Sequence, residues 1–169
     1  KDDGSPESYM RVFVDSDFAM DETRRSTMGS VTLLNGAPIS WMSTLGKTVA
    51  TSTCEAEVNA AVAAAKDAIH LRSMLRELGF HHGKLTLHED NSAAISQGSG
   101  GLRLVRNAKH YTTKLRWLQQ VIADGDIGFV LRLLRNNWRI VSQNLMTKNC
   151  SLSSGNVWFK MFHYSIECV

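Results

Sequence analysis

Apolar and polar positions alternate with a period of two over residues 9–14, over MGSVTLL at 28–34 and over ISWMSTL at 39–45, the pattern of half-buried strands. The charged stretch DETRRST separates the first pair. NGAP separates the second, and Asn-Gly at its head predicts a two-residue hairpin turn, so three consecutive antiparallel strands are expected. Over 54–78 the period lengthens to that of a helix. Val58, Ala61, Ala65, Ile69 and Leu75 fall on or near one face, Gly79 stands as a stop, and the many alanines allow close approach to a sheet. KLTLHED at 84–90 returns to a strand pattern, NSAAIS opens a short helix, and the glycine-rich, then basic QGSGGLRLVRN reads as loop. A second long helix is predicted over 109–123, with Gly125 beyond it, and a fifth strand over 127–131. The order β-β-β-α-β-α-α-β describes an α/β chain. A strand returning after a helical crossover pairs in parallel, so the five strands form a mixed sheet flanked by helices. Beyond residue 131 no period holds, and the chain divides into a polar linker (1–8), a domain (9–131) and an atypical tail (132–169).

Composition narrows this picture only a little. The 169 residues, 43% apolar and 21% charged, suit one globular domain with a single core. A net charge of +3 is mild and compatible either with an ordinary surface or with weak attraction to a polyanion. Cys54, Cys150 and Cys168 are odd in number and lack C-x-x-C spacing, which points away from a zinc site or disulfide framework and toward a reducing compartment. No apolar run is long enough to span a bilayer, and no membrane partner is expected. Because the chain begins without Met, it is expected to be part of something longer.

Three acidic residues stand where predicted elements meet. Asp15 ends the first strand, Glu57 lies in the first turns of the long helix, and Asp90 ends the fourth strand. Converging at one sheet edge, such carboxylates would offer the hard oxygen donors that Mg²⁺ prefers, two such ions being able to clamp a phosphodiester during hydrolysis. Acids at strand ends and in first helical turns also arise for turn and dipole reasons. Ser52 to Glu55 matches the S/T-x-x-E capping box, which assigns Glu55 to the helix start and leaves Glu57 without such a task. Spacing does not choose between Asp15 and Asp17, whereas Glu89 and Asp90 point to opposite faces.

VDSDFAMDETRRSTMGSVTLLNGAPISWMS, KTVATSTCEAEVNAAVAAAKDAIHLRSMLRELG, LHEDNSAAI and RNAKHYTTKLRWLQQVIADGDIGFV, taken in order, resemble the ribonuclease H domain of Ty1/copia-type LTR-retrotransposon Pol polyproteins. The resemblance runs over about 12–130. By it, the D-x-D-W-A motif falls on Asp15, with Phe18 where Trp is usual. The S-x-T-E-A-E-Y motif falls on Glu57, with Cys54 and Val58 in place of Thr and Tyr. The C-D-N-x-x-A motif falls on Asp90, with Glu89 where Cys is common. The resemblance implies the RNase H fold, two Mg²⁺ or Mn²⁺ ions held by Asp15, Glu57 and Asp90, and cleavage of the RNA strand of RNA/DNA hybrids to a 3′-hydroxyl and a 5′-phosphate. It also implies a reverse transcriptase region of the same polyprotein as partner, and a cytoplasmic, virus-like-particle or nuclear setting inside the cell.

Substrate contacts are expected from two places. Thr51, Ser52 and Thr53 lie beside the acidic residue of the long helix and either reach a sugar-phosphate backbone or cap the helix. Arg103, Arg106, Lys109 and His110 form a basic cluster before the second long helix, suited to phosphate or left solvated. Thr112 replaces the Asp of the family's K-H-I-D word. Trp41 and Trp117 read as core rather than as stacking platforms.

The family has one further carboxylate, in a word close to Q-L-A-D-x-F-T-K after the fifth strand, yet residues 127–166 contain no Asp or Glu. One alignment sets Asn144 of NLMTK in that place, where an amide offers a neutral oxygen and no charge to a metal. A second explanation is genetic. Asn136 to Asn144 can be encoded as AAC AAC TGG CGG ATT GTT TCA CAA AAC, and dropping the first two bases gives Gln-Leu-Ala-Asp-Cys-Phe-Thr-Lys. A frame shift near Val130 or Leu131 would thus make the tail out-of-frame translation, with activity and stability impaired and part of the sheet face uncovered.

Overall fold

The computed structural model describes residues 9–19, 22–80, 85–99 and 109–131, with the side chains of 109, 110 and 131 left out. The elements follow the predicted order: β1 (Met10–Asp17), β2 (Thr27–Leu34), β3 (Ala37–Leu45), α1 (Thr53–Glu77), β4 (Leu85–Glu89), α2 (Ser92–Gly98), α3 (Lys109–Ala123) and β5 (Ile127–Leu131). They form a five-stranded sheet in the order β3-β2-β1-β4-β5. β1, β2 and β3 pair antiparallel, while β4 pairs in parallel with both β1 and β5. β1 runs to Asp17, past the expected end at Asp15, because Ser16 and Asp17 continue its pairing with Met28 and Thr27.

Local chemistry sets the connections. Asn35 and Gly36 both adopt positive φ, 51° and 88°, as the tight turn between β2 and β3 requires. Asn35 also accepts from the Tyr9 backbone N–H through Oδ1 at 3.0 Å, fastening the start of β1 to that turn. α1 ends at Gly79, whose φ of 84° lets its N–H reach Arg76 O and lets Phe80 N–H reach Leu75 O, closing the last turn. α3 ends in the same way, with Gly125 N–H on Ile122 O and Asp126 N–H on Val121 O. Arg72 of α1 then holds this second turn, bonding Asp126 O at 2.6 Å and Asp126 Oδ1 at 2.5 Å.

One core joins sheet and helices. Met10, Val12 and Val14 of β1 and Leu85 and Leu87 of β4 share one cluster with Ala60, Ala61, Ala64, Ala65 and Ala68 of α1, and Val58, Val62, Ala94, Leu115, Leu118, Val121 and Ile127 complete it. Alanine on this face allows the helix to lie close to the strands, as the sequence suggested. α2 approaches β5 with equal economy: a Cβ on Gly98 would stand 2.6 Å from Cε1 of Phe129. The alternate residues of the strands form a row across the other face, Trp41, Val31, Phe13, His88 and Val130 in register. Phe13 and His88 stack in its middle with ring centroids 4.8 Å apart. Trp41 corrects an expectation. It lies on the edge strand β3 and is 46% exposed, since the row ends there with no further strand beside it among the described residues. Trp117 is partly buried against the core, with the Lys66 ammonium 5.2 Å from its ring centroid. No described helix is long and apolar enough to cross a membrane.

Candidate active site

Because β1 and β4 are parallel neighbours, their C-terminal ends lie at one edge of the sheet. Asp15 sits near the end of β1, and Asp90 directly follows β4. α1 begins at this edge and brings Glu57 to it. Ligand oxygens of Asp15, Glu57 and Asp90 all lie within 4.8 Å of one another, so three residues far apart in sequence meet at one point. Asp15 is 7% and Glu57 8% exposed, while Asp90 is half-buried. Asp17, the alternative left open by spacing, stays outside the cluster, and partial burial alone raises its pKa.

The start of α1 is fixed by its cap. Ser52 Oγ accepts the Glu55 N–H at 3.1 Å. The reciprocal arm of the capping box is displaced by one residue, since Glu55 Oε2 accepts from Thr51 N–H at 2.8 Å and from Thr51 Oγ1 at 2.6 Å. Glu55 is therefore occupied in structure, and Glu57, half a turn on, is the acid delivered to the cluster. Ser52 and Thr53 are exposed beside it, with Ser52 engaged in the cap.

Three carboxylates gathered in this way, two of them nine-tenths buried, repel one another in a medium that screens poorly, and a divalent cation relieves that repulsion. All of the donors are hard oxygens, the set that suits Mg²⁺ or Mn²⁺ rather than a thiophilic metal. The residues fit a divalent cation on this ground.

A fourth acid, which sequence reasoning did not select, lies behind the cluster. Glu89 is wholly buried, and its pKa is pushed up to about 9, first by burial and then by the charge of Glu57, with smaller contributions from Asp90 and Asp15. Hydrogen bonding to backbone at Asn91 opposes the shift. Its only sequence trace is the replacement of the family's Cys by Glu.

The start of α3 also reaches this edge. Tyr111 Oη lies 3.9 Å from Cys54 Sγ, one turn before Glu57, and donates to Gln97 Oε1 of α2. Burial raises the pKa of both the thiol and the phenol. Lys114 Nζ donates to Asn59 Oδ1 at 2.9 Å, a second tie between α3 and α1. Lys109 and His110 open α3 immediately before Tyr111, although their side chains lie outside the described residues. Arg103, Arg106 and Asn144 lie wholly outside them.

No protein-family profile matches the chain. In sequence it is 32% identical over 134 residues to the retrovirus-related Pol polyprotein from transposon TNT 1-94 of Nicotiana tabacum, a match covering 79% of this chain. The chain spans only 10% of that relative's length. In fold it is similar to LC11-RNase H1 from compost, with a TM-score of 0.60 at 14% identity, covering 81% of this chain and 91% of that one. The same enzyme in complex with an RNA/DNA hybrid gives a TM-score of 0.57 at 13% identity, over 80% and 92% of the two chains. A foamy viral protease-reverse transcriptase in complex with RNA/DNA hybrid gives 0.52 at 13% identity, over 83% of this chain and 19% of that one. With a transposon Pol polyprotein as sequence relative and RNase H enzymes as structural neighbours, the chain belongs to the RNase H-fold domains of the retrotransposon Pol type.

Proposed function

We propose that this domain hydrolyses the RNA strand of RNA/DNA hybrids at a divalent-metal site formed by Asp15, Glu57 and Asp90. The observation that carries the reading is the convergence of these three carboxylates within 4.8 Å at the edge where β1, β4 and the start of α1 meet. Mg²⁺ or Mn²⁺, two ions in the full site, would supply charge to the phosphate and acidify the attacking water. The chain's own residues do the rest: Asp15 and Glu57 hold buried negative charge in place, and Asp90 is the most open of the three. Attack of water on the phosphorus with departure of the 3′-oxygen, which takes up a proton, would leave a 3′-hydroxyl and a 5′-phosphate.

Substrate grip is assigned to Ser52 and Thr53 beside Glu57 and to Arg103, Arg106, Lys109 and His110. The basic cluster leads into α3, whose first described side chain already touches α1 next to the carboxylates. Charge of this kind contributes sequence-independent, salt-sensitive affinity for phosphate. The known hybrid complexes of structural neighbours and the Pol polyprotein relative support a hybrid as substrate and a reverse transcriptase region as partner. An intracellular particle or cytoplasmic setting, with the nucleus as another site, accords with that role.

A second reading is favoured by one observation, the absence of any Asp or Glu over 127–166, with Asn144 where a fourth carboxylate is expected. On that reading the domain is a remnant that binds nucleic acid without cutting it. Incubation of the purified chain with labelled hybrid, single-stranded RNA and duplex DNA in Mg²⁺ or Mn²⁺ separates the cases. Cutting of the hybrid alone supports the proposal, retention without cutting supports the remnant, and cutting of all three indicates a general phosphodiesterase.

A further inference from the structure

The turn that presents Asp90 is held by side chains on both sides. Glu89 Oε1 accepts the backbone N–H of Asp90 at 3.1 Å and that of Asn91 at 3.1 Å. Asn91 Oδ1 in turn accepts from Ala93 N–H at 3.0 Å and from Ala94 N–H at 3.2 Å, capping α2. Four backbone donors around the strand end are thereby satisfied by two neighbouring side chains. Glu89 itself is anchored, being fully buried as the last residue of β4 and paired in register with Leu131 of β5. Its other oxygen, Oε2, is buried with no hydrogen-bond partner among the described residues.

A carboxyl group is a demanding occupant of such a place, and a smaller apolar or thiol side chain would be easier to bury. Asp90 follows Glu89 directly, so fixing the N–H groups of 90 and 91 fixes the backbone from which the Asp90 carboxylate projects. The remaining two acids need no such help. Asp15 lies within a paired strand and Glu57 within a long helix, whereas Asp90 stands between elements and has neither ladder.

We propose that Glu89 is a positioning residue which, through Oε1, clamps the Asp90–Asn91 backbone and so sets the Asp90 carboxylate for cation binding with Asp15 and Glu57. Glu89 is not a ligand, since it lies outside the converging group of oxygens. The inference rests on the metal-site reading above. It depends on an acceptor at Oε1, so glutamine can replace glutamate whereas leucine, of similar bulk, cannot.

Calorimetric titration of the full chain with Mn²⁺ tests this, accompanied by hydrogen exchange at the Asp90 and Asn91 amides. Wild type and Glu89→Gln are expected to bind within about twofold of each other and to protect both amides. Glu89→Leu is expected to keep its far-ultraviolet circular dichroism, to lose amide protection and to bind Mn²⁺ about tenfold or more weakly, the scale typical of supports behind a ligand. Equal Mn²⁺ affinity in Glu89→Leu and wild type would overturn the positioning role. So would an equal loss in Glu89→Gln, because it would place the effect on the acid rather than on the acceptor. A wild-type chain that binds no Mn²⁺ would instead overturn the metal-site reading, and the inference with it.

Discussion

Asp15 and Asp90 stand at the same edge of the sheet because their strands, β1 and β4, are adjacent and parallel, and their carboxylate oxygens lie within 4.8 Å. With Glu57 they gather three acids whose mutual repulsion a cation would relieve. Asp15→Asn is therefore predicted to raise the melting temperature of the metal-free chain by a few degrees and to abolish the further rise that Mn²⁺ gives wild type. Binding at a hundred times Kd stabilises a protein by about 2.7 kcal/mol, well within reach of a thermal melt. An unchanged Mn²⁺ response in the variant would separate the ion from Asp15.

Glu89 predicts a pH dependence of metal-free stability. Its pKa of about 9 in the folded chain lies above the ordinary 4.5, so between those values the folded state holds a proton that the unfolded state has released. The contribution is present in full below about pH 4.5 and is lost as pH rises toward 9. A tenfold difference in proton affinity between the two states corresponds to about 1.4 kcal/mol, so a loss on the order of several kcal/mol is expected across that window. Glu89→Gln removes this slope, and melts from pH 5 to 9 are expected to show the variant overtaking wild type. Parallel curves for the two proteins would contradict a buried, proton-holding Glu89.

Gly98 closes α2 onto β5. A methyl group there would stand 2.6 and 2.8 Å from two ring carbons of Phe129 and 3.6 Å from Leu118 Cδ2. Gly98→Ala is predicted to cost about 1–3 kcal/mol through overpacking, measured by denaturant unfolding. Pairing it with Phe129→Leu should recover part of that loss. A Gly98→Ala chain as stable as wild type would show that Phe129 yields freely.

Much of this arrangement was legible in the chain. The period-two runs, the Asn-Gly turn, the alanine-rich helix and its glycine stop specify their elements locally, and all eight elements appear in the predicted order. Asp15, Glu57 and Asp90 were selected by position at element ends and by resemblance, and they do converge. The features that local sequence does not specify depend on tertiary context. Glu89 is buried on β4, an inner strand between β1 and β5, and Trp41 is exposed on β3, an edge strand. Neither is written in the neighbouring residues. The one-residue displacement of the capping box likewise follows from where Thr51 lies relative to Glu55 in the folded chain.

The tail carries a genetic prediction. The encoding DNA for Asn136 to Asn144 is expected to spell Gln-Leu-Ala-Asp-Cys-Phe-Thr-Lys in a shifted frame, and a chain rebuilt in that frame to regain the missing carboxylate and bind metal more tightly. Codons that do not spell the word would return Asn144 to the status of a simple substitution.

Asp15, Glu57 and Asp90 are proposed to serve hydrolysis of RNA paired with DNA. The most direct measurement is cleavage of a labelled RNA strand in a hybrid by the purified chain in Mg²⁺ or Mn²⁺, alongside Asp15→Asn prepared identically. Wild type is expected to release RNA fragments with 3′-hydroxyl ends, slowed by the missing fourth carboxylate, and Asp15→Asn none. A folded wild-type chain that leaves the hybrid intact, or an Asp15→Asn chain that cuts equally well, would contradict it.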